Sequence, residues 1–457
     1  MTAKTLFLAL SAVALAACGG SDDPTFSPDA MPEIDSGSGA RQFELHIEAA
    51  GLPYTFVKSG TFSTPEGGTE MGPIFPGDAY SVTFSAAPGA RLSFETMFGP
   101  SNDFFYAPGP EGIALYDDEG EPISGDVTDQ VSLWDAGTEI NQEPGCGADV
   151  GPNQAGANTG AVDPVATVRL AADDFDVLPD PAEVLKVTLT PGEDRTFSLR
   201  IENVSSDDTL VTSCSSSAVP LAPGVWAIHT APGALFADGE ADRGDGLEAA
   251  VEDGNPASLA AAVTADTGLI VPLSPGVWAI HTASGVLFTD GEADRGDGLE
   301  SLAESGNPSV LAENLASDTS LADTGTFSIP DGSDSAGAIV PGGGFTVTFS
   351  ASPGDRLSFA TMFGLSNDAF YAPGQDGIEL FDGQTPRSGD ITAMISLWDA
   401  GTEVDQEPGI GPDTGPQQAS ADAGAAEGGV VHAIDGQDDG QTYPATDSVI
   451  RVTLTPM

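Results

Sequence analysis

A long internal repeat constrains this chain more than any other feature. Residues 76–117 return as residues 341–382 with 29 identities, and the "SLWDAGTE" motif that follows at 132–139 returns at 396–403. Two copies of one folding unit therefore make up most of the chain. A fold proposed for one copy must also serve the other.

Each copy lies in a longer unit whose two ends carry similar segments. Unit 1, residues 41–192, opens with "QFELHIEAAG" and closes with "VLKVTLTP"; unit 2, residues 195–457, opens with "TFSLRIENVS" and closes with "VIRVTLTP". Apolar and polar residues alternate in these segments, as in Phe197, Leu199 and Ile201, a pattern typical of half-buried β-strands. The sequence therefore predicts two predominantly antiparallel β domains.

A second repeat is nested inside unit 2. Residues 219–268 match residues 271–320 at 34 of 50 positions, and each copy holds a strand ("PGVWAIHT"), an acidic loop ("DGEADRGDGLE") and a helical stretch. A Gly-Asn-Pro sequence at 254–256 interrupts the first helical stretch, so we expect two short helices there. Unit 1 has no such segment. Either one copy completes unit 1, or unequal recombination left a spare copy that packs beside unit 2.

The charge of the chain bears on its partners. Seventy acidic and 13 basic residues give a formal net charge of −57, which repels phosphate backbones and anionic membrane surfaces, so we expect no nucleic-acid binding. A hydrophobic content of 40% with 22 Phe is too high for a disordered chain. Most of the carboxylates keep the surface soluble, and some of them can converge on divalent cations.

The first 40 residues have the features of an export and anchoring segment. Lys4 precedes an apolar run at 6–14 that is too short to span a bilayer. The run ends in "LAAC" at 15–18, which resembles the lipobox of bacterial lipoproteins and implies a signal peptide, 1–18, whose Cys18 becomes a lipidated N-terminus. An ordinary signal peptide is the alternative. Residues 19–40 predict a flexible tether. We therefore expect an exported protein of the cell envelope, at the outer membrane or cell surface, that meets the membrane only through its lipid.

Two further cysteines lie outside the repeat pattern. Cys146 aligns with Ile410 of the second copy, and Cys214 lies in unit 2. Export permits a disulfide, which would stabilise a loop of this length by roughly 4 kcal/mol. The spacing leaves open whether the two residues meet.

The spaced motifs of the repeat resemble the spondin N-terminal domain. The resemblance rests on "LSFxTMFGxSNDxF", "SLWDAGTExxQEPG", the strand "RIENVS" and the strand "GVWAIHT" before the helical stretch, and it covers nearly all of residues 42–456. It implies an all-β fold with two C2-like antiparallel β-sandwiches of spondin type, and short helices in the duplicated segment of the second. The animal members of the family act at the extracellular matrix. The resemblance therefore also implies a non-catalytic adhesion or binding role.

Calcium ligands are a further implication of the resemblance. The acidic ligands of the family map onto three carboxylates in each unit, namely Asp103, Asp135 and Glu139, and Asp368, Asp399 and Glu403. The chain has Asn102 and Asn367 where the family has proline, and glutamate where the family has its last aspartate. The longer side chain can change how that ligand binds the ion. Loops that gather oxygens suit a calcium ion; the alternative is that Asp135 only caps its own turn.

Other motifs give no sign of catalysis. The acidic loop has Arg243 where an EF-hand needs glycine and Ala249 where it needs glutamate. His229 and His281 are one repeated position in an apolar strand, so we expect hydrogen-bonded core histidines. No hydrolase arrangement of Ser, His and Asp is recognisable. The sequence predicts a calcium-binding, non-enzymatic module for an extracellular protein or glycan ligand; the alternative is a calcium-dependent carbohydrate-binding protein or an accessory to a surface hydrolase.

Overall fold

A computed structural model describes residues 39–151, 153–171 and 178–457. The predicted signal peptide, Cys18 and almost all of the predicted tether lie outside these residues. In the part of the chain that the structure describes, no helix is both long and apolar enough to cross a membrane.

Most regular elements are antiparallel strands. Up to residue 192 they are β1 (Arg41–Ala49), β2 (Phe56–Phe62), β3 (Ala79–Ser85), β4 (Arg91–Met97), β5 (Phe104–Pro108), β6 (Ile113–Ala114), β7 (Gly125–Asp126), β8 (Val131–Asp135), β9 (Arg169–Leu170) and β10 (Leu185–Pro191). Up to residue 351 they are β11 (Thr196–Asn203), β12 (Leu210–Val211), β13 (Ser216–Ser217), β14 (Gly224–His229), β15 (Leu273–His281), β16 (Asp323–Phe327) and β17 (Gly344–Ala351).

The remaining strands are β18 (Arg356–Phe363), β19 (Ala369–Pro373), β20 (Ile378–Glu379), β21 (Phe381–Asp382), β22 (Thr385–Pro386), β23 (Gly389–Asp390), β24 (Ile395–Asp399), β25 (His432–Ala433), β26 (Gln437–Asp438), β27 (Gln441–Thr442) and β28 (Ile450–Pro456). The α-helices are α1 (Pro181–Val184), α2 (Leu247–Asp253), α3 (Ala257–Ala265), α4 (Leu299–Ser305) and α5 (Ser309–Ser317). Short 3₁₀ helices lie at Thr128–Gln130, Thr392–Met394 and Thr446–Ser448.

The strands form two β-sandwiches of the same design. In sandwich 1 a sheet of order β3-β11-β10-β7 packs on a sheet of order β2-β14-β4-β5-β8-β9. In sandwich 2 a sheet of order β17-β1-β28-β23 packs on a sheet of order β16-β15-β18-β19-β24-β25. The predicted all-β sandwich class is confirmed. The helices α2 to α5 lie in the duplicated segment, and α2 and α3 are separate, as the Gly-Asn-Pro sequence predicts.

Apolar side chains fill each sandwich and also cover its larger sheet. Phe94 and Phe197 belong to the core of sandwich 1, and Phe345 and Phe359 belong to the core of sandwich 2. On the outer face of the larger sheet of sandwich 1, Trp134 packs in a second cluster with residues of α2 and α3. This sheet is buried on both faces, and so β5 is buried at every position. Burying each large apolar side chain contributes about 1.5–3 kcal/mol.

The first strands of the two predicted units are exchanged. β1 pairs with β17 and β28 of sandwich 2, whereas β11 pairs with β3 and β10 of sandwich 1. The boundaries predicted at 41–192 and 195–457 therefore do not follow the sheets. The elements of sandwich 1 span residues 56–265, and those of sandwich 2 span 41–49 and 273–456.

A local turn explains the exchange. β10 and β11 form a hairpin whose turn contains Asp194 and Arg195 with φ of 51° and 56°. Closing so short a loop costs little entropy, whereas pairing β1 with β10 would close a loop of more than a hundred residues. β11 therefore takes the place beside β10, and β1 pairs with β28 instead.

The first copy of the nested repeat completes sandwich 1. β14 lies between β2 and β4, with Trp226 opposite Gly60 on one side and opposite Phe94 on the other. A Cβ on Gly60 would lie 2.9 Å from the Trp226 ring, so this pairing requires glycine. β15 of the second copy lies in the same way between β16 and β18. One copy of the segment thus serves each sandwich.

The two cysteines left open by the sequence form a disulfide. Cys146 and Cys214 have Cα atoms 5.9 Å apart and join the loop after β8 to the loop between β12 and β13. Both lie in sandwich 1, although they fall in different predicted units. At the position of Cys146, sandwich 2 has the buried Ile410.

Side chains of sandwich 1 contact the long loop after β24. Lys58 and Ser85 contact the Glu407 carboxylate. The Arg195 guanidinium donates to the Gly411 carbonyl at 3.3 Å and to Gln417 Oε1 at 3.2 Å. This loop also carries part of the candidate site of sandwich 2.

Candidate metal site

The sheet register brings the predicted acidic residues together at one end of each sandwich. Asp399 is the last residue of β24 and lies opposite Ala369, the residue after Asp368. Asp135 ends β8 and lies opposite Phe104, the residue after Asp103, in the same way. All four aspartates are almost completely buried.

Asp368 is held by one carboxylate oxygen only. Its Oδ2 accepts hydrogen bonds from the Thr402 N–H (2.8 Å), the Thr402 hydroxyl (3.0 Å) and the Glu403 N–H (3.0 Å). Its Oδ1 is buried and has no hydrogen-bond partner. Such an oxygen is costly to leave unpaired, and it is suited to a cation. Asp103 repeats this arrangement, with the Thr138 and Glu139 groups at 2.9–3.1 Å from Oδ2 and with Oδ1 unpaired.

Asp405 completes a group of three in sandwich 2. One oxygen each of Asp368, Asp399 and Asp405 lies within 4.8 Å of the others. Both oxygens of Asp405 are buried, next to the Tyr443 hydroxyl. Asp405 was not among the predicted ligands, although it is an acidic residue only two positions beyond Glu403 in the same loop.

Glu403, the predicted third ligand, lies outside this group of three. Its Oε1 accepts from the Gly424 N–H at 2.8 Å and its Oε2 from the Asn367 amide at 3.4 Å. Glu139 is bonded in the same way to Gly160 and Asn102. Asn367 and Glu403 thus contact each other, as Asn102 and Glu139 do. Glu403 fixes the loop beside the site, and Asp405 offers the third set of oxygens.

Two further groups of possible ligands surround the site in sandwich 2. Glu300 and Glu304 of α4 lie close to Asp422, and the Thr402 hydroxyl contacts Glu304 Oε1 at 2.9 Å. Asp399 also lies close to His432 and Asp438. His432 contacts Asp438 through Nε2 at 2.6 Å and the Val430 carbonyl through Nδ1 at 3.0 Å. α4 belongs to the nested repeat, and the sequence alone did not show that its glutamates face the site.

Burial and mutual repulsion raise the pKa values of the clustered carboxyls. The pKa of Asp399 rises to about 8 because of burial and the charge of Asp368. The pKa of Asp405 rises to about 7 for the same two reasons, and burial raises the pKa of Asp368. A divalent cation would remove this repulsion and displace the protons.

In sandwich 1 the corresponding aspartate is bonded by side chains of the same sandwich, although burial and the charge of Asp103 raise its pKa to about 8 as well. Asp135 Oδ2 lies 2.6 Å from Arg169 Nη2 and 2.6 Å from the Asn141 amide nitrogen. Within residues 39–151, 153–171 and 178–457, all groups of three close metal-ligand atoms belong to sandwich 2.

The donor set of sandwich 2 fits a hard divalent cation. Carboxylate oxygens held by loops are the ligands that Ca²⁺ prefers, and the unpaired Asp368 Oδ1 gives one ligand a fixed direction. The repeated histidines are elsewhere: His229 is buried, with Nε2 2.8 Å from the Ser93 hydroxyl and Nδ1 2.7 Å from the Ala231 carbonyl. His229 is therefore a hydrogen-bonded core residue, as predicted.

Fold and site together define an all-β protein of two related sandwiches with acidic loops at one end of each. No protein-family model matches the chain, and a comparison with curated proteins also finds no match.

Proposed function

We propose that this protein is a lipid-anchored, extracytoplasmic calcium-binding module of spondin type that binds an extracellular protein or glycan without catalysis. The observation that carries the proposal is the group of Asp368, Asp399 and Asp405, in which a fully buried carboxylate oxygen has no partner. The loops that hold this group belong to a rigid sandwich, which is how binding modules present variable surfaces.

Calcium binding should stabilise the protein. Asp399→Asn keeps an acceptor for the Gly401 N–H but removes a charge, so we expect it to abolish the rise in Tm that millimolar calcium produces in the wild type. Calcium at 100 times its dissociation constant would add about 2.7 kcal/mol to the free energy of unfolding. Differential scanning calorimetry with calcium or with a chelator measures the effect, and Asp334→Asn, at an exposed position, is the matched control.

The calcium effect should also depend on pH. The raised pKa values of Asp399 (about 8) and Asp405 (about 7) mean that protons compete with the ion, so the rise in Tm should shrink from pH 8 to pH 5. A wild type that melts identically with calcium and with a chelator at pH 8 would contradict the calcium proposal.

The anchoring part of the proposal rests on the "LAAC" motif at 15–18. Cys18→Ser should move the protein from the membrane fraction to the soluble fraction. An unmodified mature N-terminus at another residue would refute it.

The class of ligand can be found by retention. Surface extracts and polysaccharide columns are tested with the purified chain in calcium and in chelator. Calcium-dependent capture of a protein supports adhesion, whereas calcium-dependent retention on a polysaccharide supports the carbohydrate-binding alternative. Asp399→Asn should abolish either.

A further inference from the structure

The two sandwiches surround their acidic sites with equivalent residues of different charge. Asn141 corresponds to Asp405. Each lies one residue before a glutamine whose backbone N–H donates to an asparagine side chain, that of Asn102 in sandwich 1 and that of Asn367 in sandwich 2. Asn158 corresponds to Asp422, and both have positive φ, 50° and 54°. Arg169 of β9 lies opposite Asp135 of β8, and His432 of β25 lies opposite Asp399 of β24 in the same way.

In sandwich 1 each of the three residues donates to an acidic residue of the site. Asn141 and Arg169 both contact Asp135 Oδ2 at 2.6 Å. Arg169 also contacts Asp163 Oδ2 at 2.8 Å. The Asn158 amide donates to Glu248 Oε1, on α2, at 2.7 Å.

In sandwich 2 the same three positions belong to the groups of metal-ligand atoms. Asp405 joins Asp368 and Asp399, Asp422 joins Glu300 and Glu304, and His432 joins Asp399 and Asp438. Glu300 and Glu304 correspond to Glu248 and Glu252 in the first copy of the nested repeat. Replacing an acid with an amide removes a ligand and supplies a donor, and both changes weaken binding of a cation.

We propose that the chain binds its divalent metal in sandwich 2 only, and that Asn141, Asn158 and Arg169 are an internal replacement for the metal in sandwich 1. This inference rests on the proposed function. A guanidinium is always charged and holds carboxylates through directed N–H groups. A metal ion at Asp135 would have to displace both Arg169 and Asn141, whereas in sandwich 2 the position of Asn141 is occupied by Asp405, which offers carboxylate oxygens to the ion.

The first experiment locates the metal. Isothermal titration of the full chain with calcium compares Asp399→Asn with Asp135→Asn. We expect Asp399→Asn to remove calcium binding and Asp135→Asn to leave the stoichiometry of the wild type unchanged. Circular dichroism and melting in chelator show whether each variant is folded.

The second experiment exchanges the three residues. In one variant Asn141→Asp, Asn158→Asp and Arg169→His give sandwich 1 the side chains of sandwich 2. We expect this variant to bind more calcium than the wild type, and to retain the added binding when Asp399→Asn is introduced. Its melting should depend on calcium in a second transition.

The reverse exchange covers the case in which the first variant does not fold. Asp405→Asn, Asp422→Asn and His432→Arg place in sandwich 2 a set that sandwich 1 already accommodates, and they should abolish calcium binding while the protein stays folded. Loss of binding in Asp135→Asn, or unchanged binding after the reverse exchange, would overturn the inference while leaving calcium binding itself intact. A wild type that binds no calcium would instead refute the proposed function.

Discussion

Glu95 is a buried acid that only one of the two sandwiches has. It lies in "RLSFETMFG" on β4, where sandwich 2 has Ala360 on β18. Its Oε1 accepts from the Val225 N–H at 3.0 Å, and its Oε2 is buried without a partner. Burial raises the pKa of Glu95 to about 8. The side chain therefore holds its proton in the folded protein at neutral pH.

We expect Glu95→Gln to reduce the loss of stability that the wild type undergoes as the pH rises from 5 to 8. The folded state keeps the Glu95 proton up to about pH 8, whereas the unfolded chain releases it near pH 4.3. Between these values the folded state binds more protons, so the stability of the wild type falls as the pH rises. The amide does not titrate, and its oxygen can still accept from the Val225 N–H.

Denaturant unfolding in chelator at pH 5 and pH 8 measures this effect. The stability of Glu95→Gln relative to the wild type should rise by roughly 2–4 kcal/mol between the two pH values. Glu70→Gln, at an exposed position, is the control and should follow the wild type. Parallel pH profiles for the wild type and Glu95→Gln would show that Glu95 is ionised in the folded protein.

At the scale of the elements, β11 and β14 decide which segments fold together. Both follow residue 192 in the chain, and both belong to sandwich 1. β14 is an internal strand with partners on its two sides, so its removal would leave β2 and β4 with unpaired edges. Exposed edges of this kind promote aggregation.

Fragments can test this assignment. Residues 52–270 contain the larger sheet, the smaller sheet and the disulfide of sandwich 1, and we expect them to give a soluble monomer with a cooperative melt. Residues 41–192 lack β11 and β14 and should aggregate. Sandwich 2 should form when residues 41–51 are joined directly to residues 271–457.

Size-exclusion chromatography and calorimetry compare the three fragments. If 41–192 were monomeric and melted cooperatively, the exchange of strands would not be needed for stability. If 52–270 failed to fold on its own, sandwich 1 would depend on contacts such as that between Lys58 and Glu407.

At the scale of the whole molecule, sandwich 1 is an insertion between the first and second strands of sandwich 2. The chain leaves sandwich 2 after β1 and re-enters it at β15, and the two connecting segments lie side by side. The Phe56 N–H donates to the Asp266 carbonyl at 3.1 Å, and the Gly268 N–H donates to the Phe56 carbonyl at 2.9 Å. The loop that holds Glu403 and Asp405 also contacts Arg195 and Lys58 of sandwich 1. The loop that contributes Asp405 to the candidate metal site therefore also contacts sandwich 1.

Local pattern in the sequence determined the all-β class and the split of each helical stretch, because alternation and repeats are local properties. The meeting of Asp368 and Asp399 was an implication of the resemblance, and the strand register, which follows the buried face, brings the two residues together. The sequence could not determine which unit each opening strand joins, because "RQFELHIEA" and "TFSLRIEN" satisfy the same pattern. The short β10–β11 hairpin places β11 in sandwich 1, and β14, which comes later in the chain, belongs to the same sandwich.

The tertiary structure alone decided the composition of the site. Glu403 and Asp405 are two residues apart in one loop, and only the packing of that loop shows that Glu403 bonds to Gly424 and Asn367 while Asp405 faces Asp368. Arg169 and His432 reach the aspartates from another strand, more than 30 residues away. Sequence similarity made the two sites look equivalent, whereas the charges that converge in space distinguish them, because electrostatic interactions depend on distance and burial and not on order in the chain.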